Sequence, residues 1–435
     1  MPLEQRSIYK SIMSTFIPNN NQMPERRYDL DWLRVLAFAV LILYHTGMFY
    51  VESWGWHAKS HYQSQFLENI MLIVEPWRMA LLWLISGISI RFILAKVSLQ
   101  RFIAMRTYRL LLPLLFGILV VVPPQLYVEM SQKGDLNMNY WQFLYAFFID
   151  SADVFIKYPS GIWPHIDVNH LWFIRSLWQF TLLMVILLPL LNSPWMKWIV
   201  NGLFKRHGVI AIILATLPIL AIQVFWDSET TRYPLGFTFM IYGYLIGWQT
   251  TFWQRLESAF KPLVISMMIG YCFLIYFYSV YWSKLTPSEI PELVQVVGMS
   301  TYSLLRVVGV LMALTFAVKF LNKKSKLLSY LNNGVYSFYI LHQTIIIVAG
   351  YHLSTYHLGG FLEPILLILI TIIGCFTGYE IIRRSTLLRP CFGLKAKQKY
   401  SPKIIQLGYV TAGLLMMPIA WKLLNWSVEL VFILI

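Results

Sequence analysis

Residues 28–50, YDLDWLRVLAFAVLILYHTGMFY, decide the fold, because this stretch is apolar over the length of a membrane span and carries ionisable groups within it. At 3.6 residues per turn, Asp31, Arg34 and His45 fall on one face of a helix. The rise from Arg34 to His45 is about 16 Å, which puts the imidazole just past the middle of a bilayer if the arginine lies at one interface. An ionisable group at that depth indicates either a functional role or a hydrogen bond to a neighbouring helix.

The composition of the 435-residue chain is that of a polytopic membrane protein, with 58% hydrophobic and only 13% charged residues. Eleven apolar segments predict an all-α bundle of about eleven transmembrane helices. The three cysteines are scattered without paired or metal-like spacing, so neither a disulfide framework nor a metal site is expected. The predicted spans are Leu33–Tyr50, Ile70–Ile90, Leu110–Val128, Leu171–Asn192, Val209–Trp226, Leu235–Thr251, Leu263–Trp282, Thr301–Val318, Val335–Tyr351, Leu362–Ile382 and Ile404–Leu424.

The net charge of +15 could indicate a nucleic-acid partner, but the basic residues concentrate in alternate connections between the predicted spans. This alternation follows the positive-inside rule, so we expect a cytoplasmic N-terminus and no nucleic acid among the partners. Residues 1–28 are predicted to form a flexible cytoplasmic tail and residues 29–385 the membrane domain. Residues 386–435 are predicted to form a basic cytoplasmic loop followed by one extra span.

Further polar groups fall inside other predicted spans. Glu75 and Arg78 share one helical face near the level of His45. The carboxylate could hold the imidazole in its basic tautomer and the guanidinium could stabilise charge on a reacting carbonyl, with an ion pair inside one helix as the alternative. Because such groups need partners away from lipid, together they predict a polar cavity through the bundle. The other members of this set are His170, Arg175, Arg306, Ser337 and His342.

Arginines also cluster at the predicted cytoplasmic mouth. Arg106 and Arg109 in the RTYR run share a face where the third span leaves the cytoplasm, beside Arg34. Guanidinium groups bind phosphate bidentately, so this cluster predicts a phosphate-rich ligand, with ordinary positive-inside residues as the alternative. On the opposite side, the long connection 129–170 carries acids and tryptophans that could bind a sugar or form an interfacial cap.

Several motifs, in order along the chain, resemble the membrane acyltransferase-3 family. Arg34 and His45 match its R-x10-H signature, in which the histidine is the proposed base, and LLWLISG at Leu81–Gly87 resembles its FFxxSG element. The later matches are RTYR at Arg106–Arg109, HLWF at His170–Phe173 and YSFYILH at Tyr336–His342. The resemblance covers roughly residues 28–385. It implies a membrane O-acyltransferase that moves an acetyl or succinyl group from acyl-CoA to a hydroxyl of a glycan outside the cytoplasm.

The motifs and the helical spacing together give each candidate residue an expected role. The expected catalytic residues are His45, Glu75, Arg78 and Asp31, and the expected acyl-CoA ligands are Arg34, Arg106 and Arg109. The expected substrate-binding residues are His170, Trp172, Arg175, Ser337 and His342. Many O-acetyltransferases of the family carry a glutamate shortly after HLWF, where this chain has Leu177 and Trp178. That departure moves the expected carboxylate role to Glu75 or Asp31.

The SWGWH run at Ser53–His57 resembles the part of the family that adds succinyl groups to periplasmic glucans, which implies a bacterial inner-membrane location with membrane lipid, acyl-CoA and a glycan as partners. The sequence leaves direct transfer and an acyl-histidine intermediate both open. A transporter or flippase for a lipid-linked sugar or anion is the alternative function. A structural subunit of a glycan assembly system is a further alternative.

Overall fold

The computed structural model describes residues 26–149, 152–158, 166–226, 230–286, 288–395 and 402–403, and the regular elements in these ranges are helices. Helices suit a membrane because they satisfy their backbone hydrogen bonds within one segment. The helices are α1 (Tyr28–Met48), α2 (Gln65–Met71), α3 (Glu75–Leu94), α4 (Leu99–Phe116), α5 (Pro123–Gln132), α6 (Tyr140–Ile149), α7 (Trp172–Leu191), α8 (Pro194–Lys205), α9 (Gly208–Phe225), α10 (Arg232–Ile246), α11 (Thr250–Ser258), α12 (Phe260–Phe277), α13 (Glu292–Phe320), α14 (Lys326–Ser354), α15 (Leu362–Arg384) and α16 (Leu388–Cys391).

Nine helical stretches in the described part of the chain are long and apolar enough to cross a membrane. They coincide with nine of the predicted spans, so the multi-pass helical bundle is confirmed. The predicted sixth span, Leu235–Thr251, corresponds to the fifteen-residue helix α10, which is shorter than this criterion requires. The predicted span Ile404–Leu424 and most of the tail 1–28 lie outside the described residues. The number of spans and the side of the N-terminus therefore stay predictions.

Contacts between helices show their relative directions. On α1 and α3, Arg34 meets Ser89 whereas Tyr44 meets Arg78, so these two helices are antiparallel. On α1 and α14, Phe38 meets Tyr339 while Phe49 meets Gly350, so these two are parallel. Similar contacts make α10 run parallel to α3, from Gly236 against Trp83 to Gly247 against Arg91. These directions agree with the alternation of the predicted spans.

Glycines allow α3 and α10 to pack backbone against backbone. A Cβ atom added at Gly87 would lie 1.9 Å from the carbonyl oxygen of Met240, and one at Gly243 would lie 2.0 Å from that of Leu84. Small residues favour such close approach between membrane helices, where van der Waals contact drives association. The glycine of the LLWLISG motif therefore has a structural role in holding α10 on α3.

Burial separates central helices from peripheral ones. Of the 18 most apolar consecutive residues, 61% are buried in the stretch that contains α3 and in α14. The same fraction is only 11% in α9 and 17% in the stretch that contains α12. Large apolar side chains on α9 and α12, such as Ile213 and Phe273, are more than half exposed, as expected for lipid-facing helices. The candidate site therefore lies among α1, α3 and α14 in the centre of the bundle.

The segment after α1 folds back over the end of that helix. The ammonium group of Lys59 donates to the carbonyl oxygens of Met48 at 3.0 Å and Val51 at 2.7 Å, which places a cation at the negative end of the helix dipole. Burial lowers the pKa of Lys59. The backbone amide of Ser60 donates to Phe49, so residues 49–60 form a closed loop. This loop carries Trp54, Trp56 and His57 to the candidate site.

Candidate active site

Two histidines from different spans form the centre of the site. Nδ1 of His45 in α1 lies 2.7 Å from Nε2 of His342 in α14, and their rings stack with centroids 5.0 Å apart. Nδ1 of His342 lies 2.6 Å from the carbonyl oxygen of Tyr339, which can only accept a hydrogen bond. His342 therefore carries its proton on Nδ1, and its Nε2 accepts from Nδ1–H of His45. This tautomer leaves Nε2 of His45 with a free lone pair.

A third histidine lies against this pair. His170 donates from Nε2 to the carbonyl oxygen of Ile340 at 3.0 Å, and its Nδ1 accepts from Gln125 at 3.3 Å. Its ring centroid is 5.4 Å from that of His342. The preceding residue, Asn169, has a φ angle of 46°, so the backbone turns sharply where the HLWF motif enters α7. The late motif and the HLWF motif therefore meet in space.

A buried chain of amides joins His170 to a fourth histidine that the site prediction missed. Gln343 donates to Gln125 at 3.1 Å and to Asn169 at 2.8 Å. Asn169 lies 3.1 Å from Nε2 of His57, whose Nδ1 lies 2.6 Å from Glu129. The SWGWH run contains His57, and Trp56 of the same run lies 5.3 Å from the ring of His45. The motif was visible in the sequence, but its distance from His45 along the chain gave no indication of contact.

The arginines predicted at one mouth line one cavity of about 780 Å³, which we call the basic cavity. Arg34, Arg106 and Arg109 all contribute to its wall. The sequence prediction missed further cations of this wall because they lie in the last turn of α15 and in the segment that follows it, where they were counted only as orientation signals. These additional cations are Arg383, Arg384, Arg389 and Lys395.

Local contacts hold the arginines of the basic cavity in different ways. Arg34 donates to the hydroxyl of Ser89 at 2.7 Å, and Arg109 donates to the carbonyl oxygen of Gly393 at 3.1 Å. Nε of Arg106 is buried without a hydrogen-bond partner in the described ranges. A buried guanidinium with unused donors is costly unless a ligand supplies acceptors. The cavity is therefore suited to an anion.

The position of Asp31 requires a correction to its predicted catalytic role. Asp31 shares a helical face with His45, but fourteen residues of helix separate them by about 21 Å. Its carboxylate lies 4.0 Å from Arg34, and it accepts hydrogen bonds from Arg26 and from Asn332 at 3.2 Å. Asp31 therefore orients Arg34 at the basic cavity and is too far from the imidazole to assist it.

Three aromatic rings line the basic cavity, and we call them the aromatic layer: Phe38, Phe173 and Tyr339. The ring centroid of Tyr339 lies 5.6 Å from that of Phe38 and 6.0 Å from that of Phe173. Tyr339 also donates its hydroxyl to the carbonyl oxygen of His170. Tyr339 is in turn 5.8 Å from the ring of His342, so it lies between the basic cavity and the histidine pair. The polar cavity through the bundle stays a prediction.

A second cavity, of about 470 Å³, lies at the opposite end of α1, and we call it the aromatic cavity. Its wall includes Tyr44, Met48 and Glu75. The guanidinium carbon of Arg78 lies 3.6 Å above the ring of Tyr44, so Arg78 is held next to His45. Glu75 was predicted to orient the imidazole, but that contact is made by His342. The carboxylate instead faces the aromatic cavity.

The other predicted substrate-binding residues lie apart from the histidine pair. Arg175 donates to the hydroxyl of Tyr233 at 3.1 Å, and Trp172 stacks under Arg232 at 4.9 Å, so both pack against the start of α10. Ser337 is fully buried, with its hydroxyl lacking a partner among the described residues. Within the same part of the chain, no group of three His, Cys, Asp or Glu side chains is arranged to hold a metal ion.

Comparison with known proteins identifies the family. A model of the acyltransferase domain typical of acyltransferase-3 proteins matches residues 27–380, which contain the histidine pair and most of both cavities. The chain belongs to the acyltransferase-3 family. The expected resemblance is thereby confirmed, together with the general class of membrane acyltransferase.

Individual relatives match a shorter part of the chain. Glucans biosynthesis protein C from Escherichia coli strain K12 is 27% identical over 166 residues, which is 38% of this chain and 40% of the relative. The same protein from Escherichia coli O1:K1 / APEC and from strain O139:H28 matches to the same extent. The alignment thus spans less than half of these relatives. No solved structure is significantly similar to this chain.

Proposed function

We propose that this protein is an integral membrane O-acyltransferase. In this proposal it moves an acetyl or succinyl group from cytoplasmic acyl-CoA to a hydroxyl of a glycan outside the cytoplasm, with His45 as the base. The observation that carries the proposal is the His45–His342 contact, because it leaves Nε2 of His45 free to accept a proton. Membership of an acyltransferase family supports the same reaction class.

The basic cavity is the proposed donor site. The phosphate groups of coenzyme A match its guanidinium groups, which bind phosphate in a bidentate and charge-assisted way. Arg106 supports this role most directly, since its buried Nε lacks a partner among the described residues. The volume of about 780 Å³ falls within the range of ordinary ligand sites. In this proposal the phosphates and nucleoside stay in the basic cavity while the pantetheine arm extends toward His45.

The acyl end must cross the aromatic layer to reach the base. Phe38 precedes His45 by seven residues on α1, a rise of about 10 Å, and Tyr339 precedes His342 by three residues on α14. Rotation of Phe38 about its side-chain torsions would open this path without moving a helix, because aromatic side chains have alternative rotamers. The layer would then close again when the thiol product leaves.

In the proposed reaction His45 takes one proton from the acceptor hydroxyl and returns it to the leaving group. The glycan hydroxyl loses its proton to Nε2 of His45 while its oxygen bonds to the thioester carbonyl carbon. Arg78 stabilises the negative charge that develops on the carbonyl oxygen. The carbon–sulfur bond then breaks, and the proton passes from His45 to the departing sulfur, giving the ester and free coenzyme A. Transfer through an acyl-imidazole on His45 gives the same two products, the ester and free coenzyme A, in two steps.

The acceptor is proposed from the relatives and from the two-sided architecture. The matched relatives are named for glucan biosynthesis, so a glucan is the first acceptor to test. A donor from the cytoplasm and an acceptor outside require a protein that spans the membrane between them, and the nine candidate membrane-crossing helices within the described ranges provide it. The proposed location is the bacterial inner membrane.

The proposal is tested with the purified full-length protein in lipid nanodiscs. The protein is incubated separately with labelled acetyl-CoA and succinyl-CoA in the presence of gluco-oligosaccharides, and the products are analysed by mass spectrometry. We expect one acyl-CoA to be consumed with a matching mass increment on the sugar. Absence of thioester turnover with either donor would overturn the proposal. Movement of sugar across liposomes without turnover would instead favour a transporter.

A further inference from the structure

Aromatic side chains supply much of the wall of the aromatic cavity: Tyr44, Trp54, Tyr278, Trp282 and Tyr302. The tip of the Trp282 indole ring fits against α13 because Gly298 has no side chain, and a Cβ atom added there would lie 2.1 Å from Cη2 of the ring. Trp54 stacks on Tyr44 with a centroid distance of 6.0 Å, and its indole nitrogen donates to the hydroxyl of Tyr278 at 2.8 Å. These contacts fix the positions of the rings. The cavity thus has a wall rich in aromatic side chains whose positions are held by neighbouring contacts.

A few polar groups also reach this cavity. Oε2 of Glu75 is buried without a hydrogen-bond partner within the described residues. Gln223 uses its carbonyl oxygen to accept from Arg306 at 2.5 Å, which leaves its amide hydrogens for a ligand. The guanidinium carbon of Arg306 lies 4.5 Å above the ring of Tyr302. A carboxylate with an unused acceptor is costly in such a site, so the geometry calls for a ligand that donates hydrogen bonds.

The aromatic cavity is next to the proposed base. Tyr44 forms part of its wall and precedes His45 in the chain, and the two ring centroids are 6.3 Å apart. Arg78, which stacks on Tyr44, follows Glu75 by one helical turn. A ligand in this cavity is therefore one side chain away from His45. It would approach from the end of α1 opposite to the basic cavity.

We propose that the aromatic cavity binds a sugar residue of the acceptor. A pyranose ring has an apolar face of C–H groups that packs on aromatic rings, here Trp282 and Tyr302, and a rim of hydroxyls that donate and accept hydrogen bonds. Glu75 accepts from these hydroxyls and Gln223 donates to them. This inference rests on the proposed acyl transfer to a glycan and names the residues that hold the acceptor.

A lipid chain is the competing occupant, because the cavity lies beside the lipid-facing helix α12. An acyl chain fills apolar volume but offers no donor to the carboxylate of Glu75 or acceptor to the amide of Gln223. The buried carboxylate oxygen of Glu75 would then stay without a partner among the described residues, which is unfavourable. A polyhydroxylated ligand satisfies both Glu75 and Gln223, so the observations favour the sugar.

The test measures sugar binding and donor binding separately on the full-length protein in nanodiscs. Calorimetry with gluco-oligosaccharides and with coenzyme A is carried out on wild type, Trp282→Ala and Glu75→Gln. We expect each variant to lose about tenfold or more in sugar affinity, as for the loss of an aromatic anchor or a charged acceptor, with unchanged affinity for coenzyme A. Phe273→Ala is the matched control, because this aromatic residue of α12 is exposed outside the cavity.

The outcomes separate this inference from the proposed function. If wild type transfers acyl groups to the oligosaccharides but both variants keep its sugar affinity and acceptor KM, the cavity is not the acceptor site while the enzyme assignment stands. If wild type binds the sugar in a Trp282-dependent way without thioester turnover, the cavity assignment stands and the enzyme assignment fails. Native mass spectrometry that shows lipid retained by wild type and lost from Trp282→Ala, with unchanged sugar binding, would identify a lipid site and overturn the inference.

Discussion

The basic cavity and the aromatic cavity lie at opposite ends of the same helix and differ in chemistry. α1 contributes Arg34 and Phe38 to the first and Tyr44 and Met48 to the second. The first is lined by cations that suit phosphates, and the second by aromatic side chains and by Glu75, whose Oε2 lacks a partner among the described residues. His45 lies on α1 next to the second cavity and beyond the aromatic layer of the first. α1 can thus hold the proposed base, His45, between an anionic ligand and a ligand that donates hydrogen bonds.

The largest effect is expected when the base between the cavities is removed. His45→Ala should lower acyl transfer by about 10²–10⁴-fold, because general base catalysis contributes on that scale. The affinities for coenzyme A and for oligosaccharide should stay as in wild type, since His45 lines neither cavity. Transfer assays and calorimetry on the same preparation measure both. Transfer by this variant at the wild-type rate would remove His45 from the chemistry.

Loss of positive charge from the basic cavity should weaken binding of the acyl-CoA donor and leave binding of the acceptor unchanged. Arg106→Ala combined with Arg109→Ala should weaken coenzyme A binding by about 100-fold, if each charge-assisted hydrogen bond contributes about 1.5 kcal/mol. The acceptor KM should not change. Arg101→Ala is the matched control, because Arg101 is exposed on the same helix and does not line the cavity. Equal donor affinity in the double variant and in Arg101→Ala would exclude the phosphate role.

Replacement of His342 should lower the rate of acyl transfer without changing ligand binding in either cavity. His342→Leu removes the acceptor for Nδ1–H of His45 and should lower kcat by about tenfold or more with both KM values unchanged. His342→Gln restores an acceptor oxygen and should recover part of the rate. The kcat and KM values of both variants, measured over a range of pH, check this positioning role. A fall in both variants caused only by higher KM would show that His342 contacts substrate instead.

The smallest effect is expected on the pH dependence of local stability in the connection between α5 and α6. A hydrogen bond from Lys157, followed by one from Tyr158, holds the pKa of Asp135 below its ordinary value. The stabilisation is fully present above about pH 4 and is lost as pH falls through the lowered pKa of the folded state. Lys157→Met should therefore make this segment lose protection at a higher pH than in wild type.

Hydrogen exchange of residues 130–149, corrected for the intrinsic pH dependence of exchange, measures this shift. The affinities of both cavities should stay unchanged in Lys157→Met, because neither Lys157 nor Asp135 lines them. A change in coenzyme A or oligosaccharide affinity would show that the two cavities are coupled to this outer connection.

Helical spacing was sufficient to predict that Arg106 and Arg109 lie together, and both are in the wall of the basic cavity. The role of His45 stays a prediction. Arg106 and Arg109 lie three residues apart, so a single helix brings them together whatever the rest of the fold does. Apolar segment length predicted the nine spans that the described residues confirm for the same reason, since it depends on local sequence. Most features encoded within one helix were therefore predicted correctly.

Features that depend on two distant segments were not. Glu75 on α3 shares a level with His45 on α1 but faces the aromatic cavity. The role expected for Asp31 was wrong for another reason, since Asp31 and His45 share a face of α1 but not a level. The contact of His342 with His45, and the chain from His170 to His57, join residues that are far apart in sequence. Such contacts depend on how whole helices pack, which no single-helix pattern contains.

The aromatic layer has a consequence for the cell as well as for the reaction. A protein with water-accessible hollows on both sides of a membrane would drain the proton and ion gradients if the hollows met. Tyr339 packs on Phe38 and Phe173 with ring centroids 5.6 and 6.0 Å away, and packed apolar side chains form the hydrophobic constrictions of closed channels. For the proposed acyl transfer across the membrane, we expect these rings to limit the leak of protons and ions through the protein.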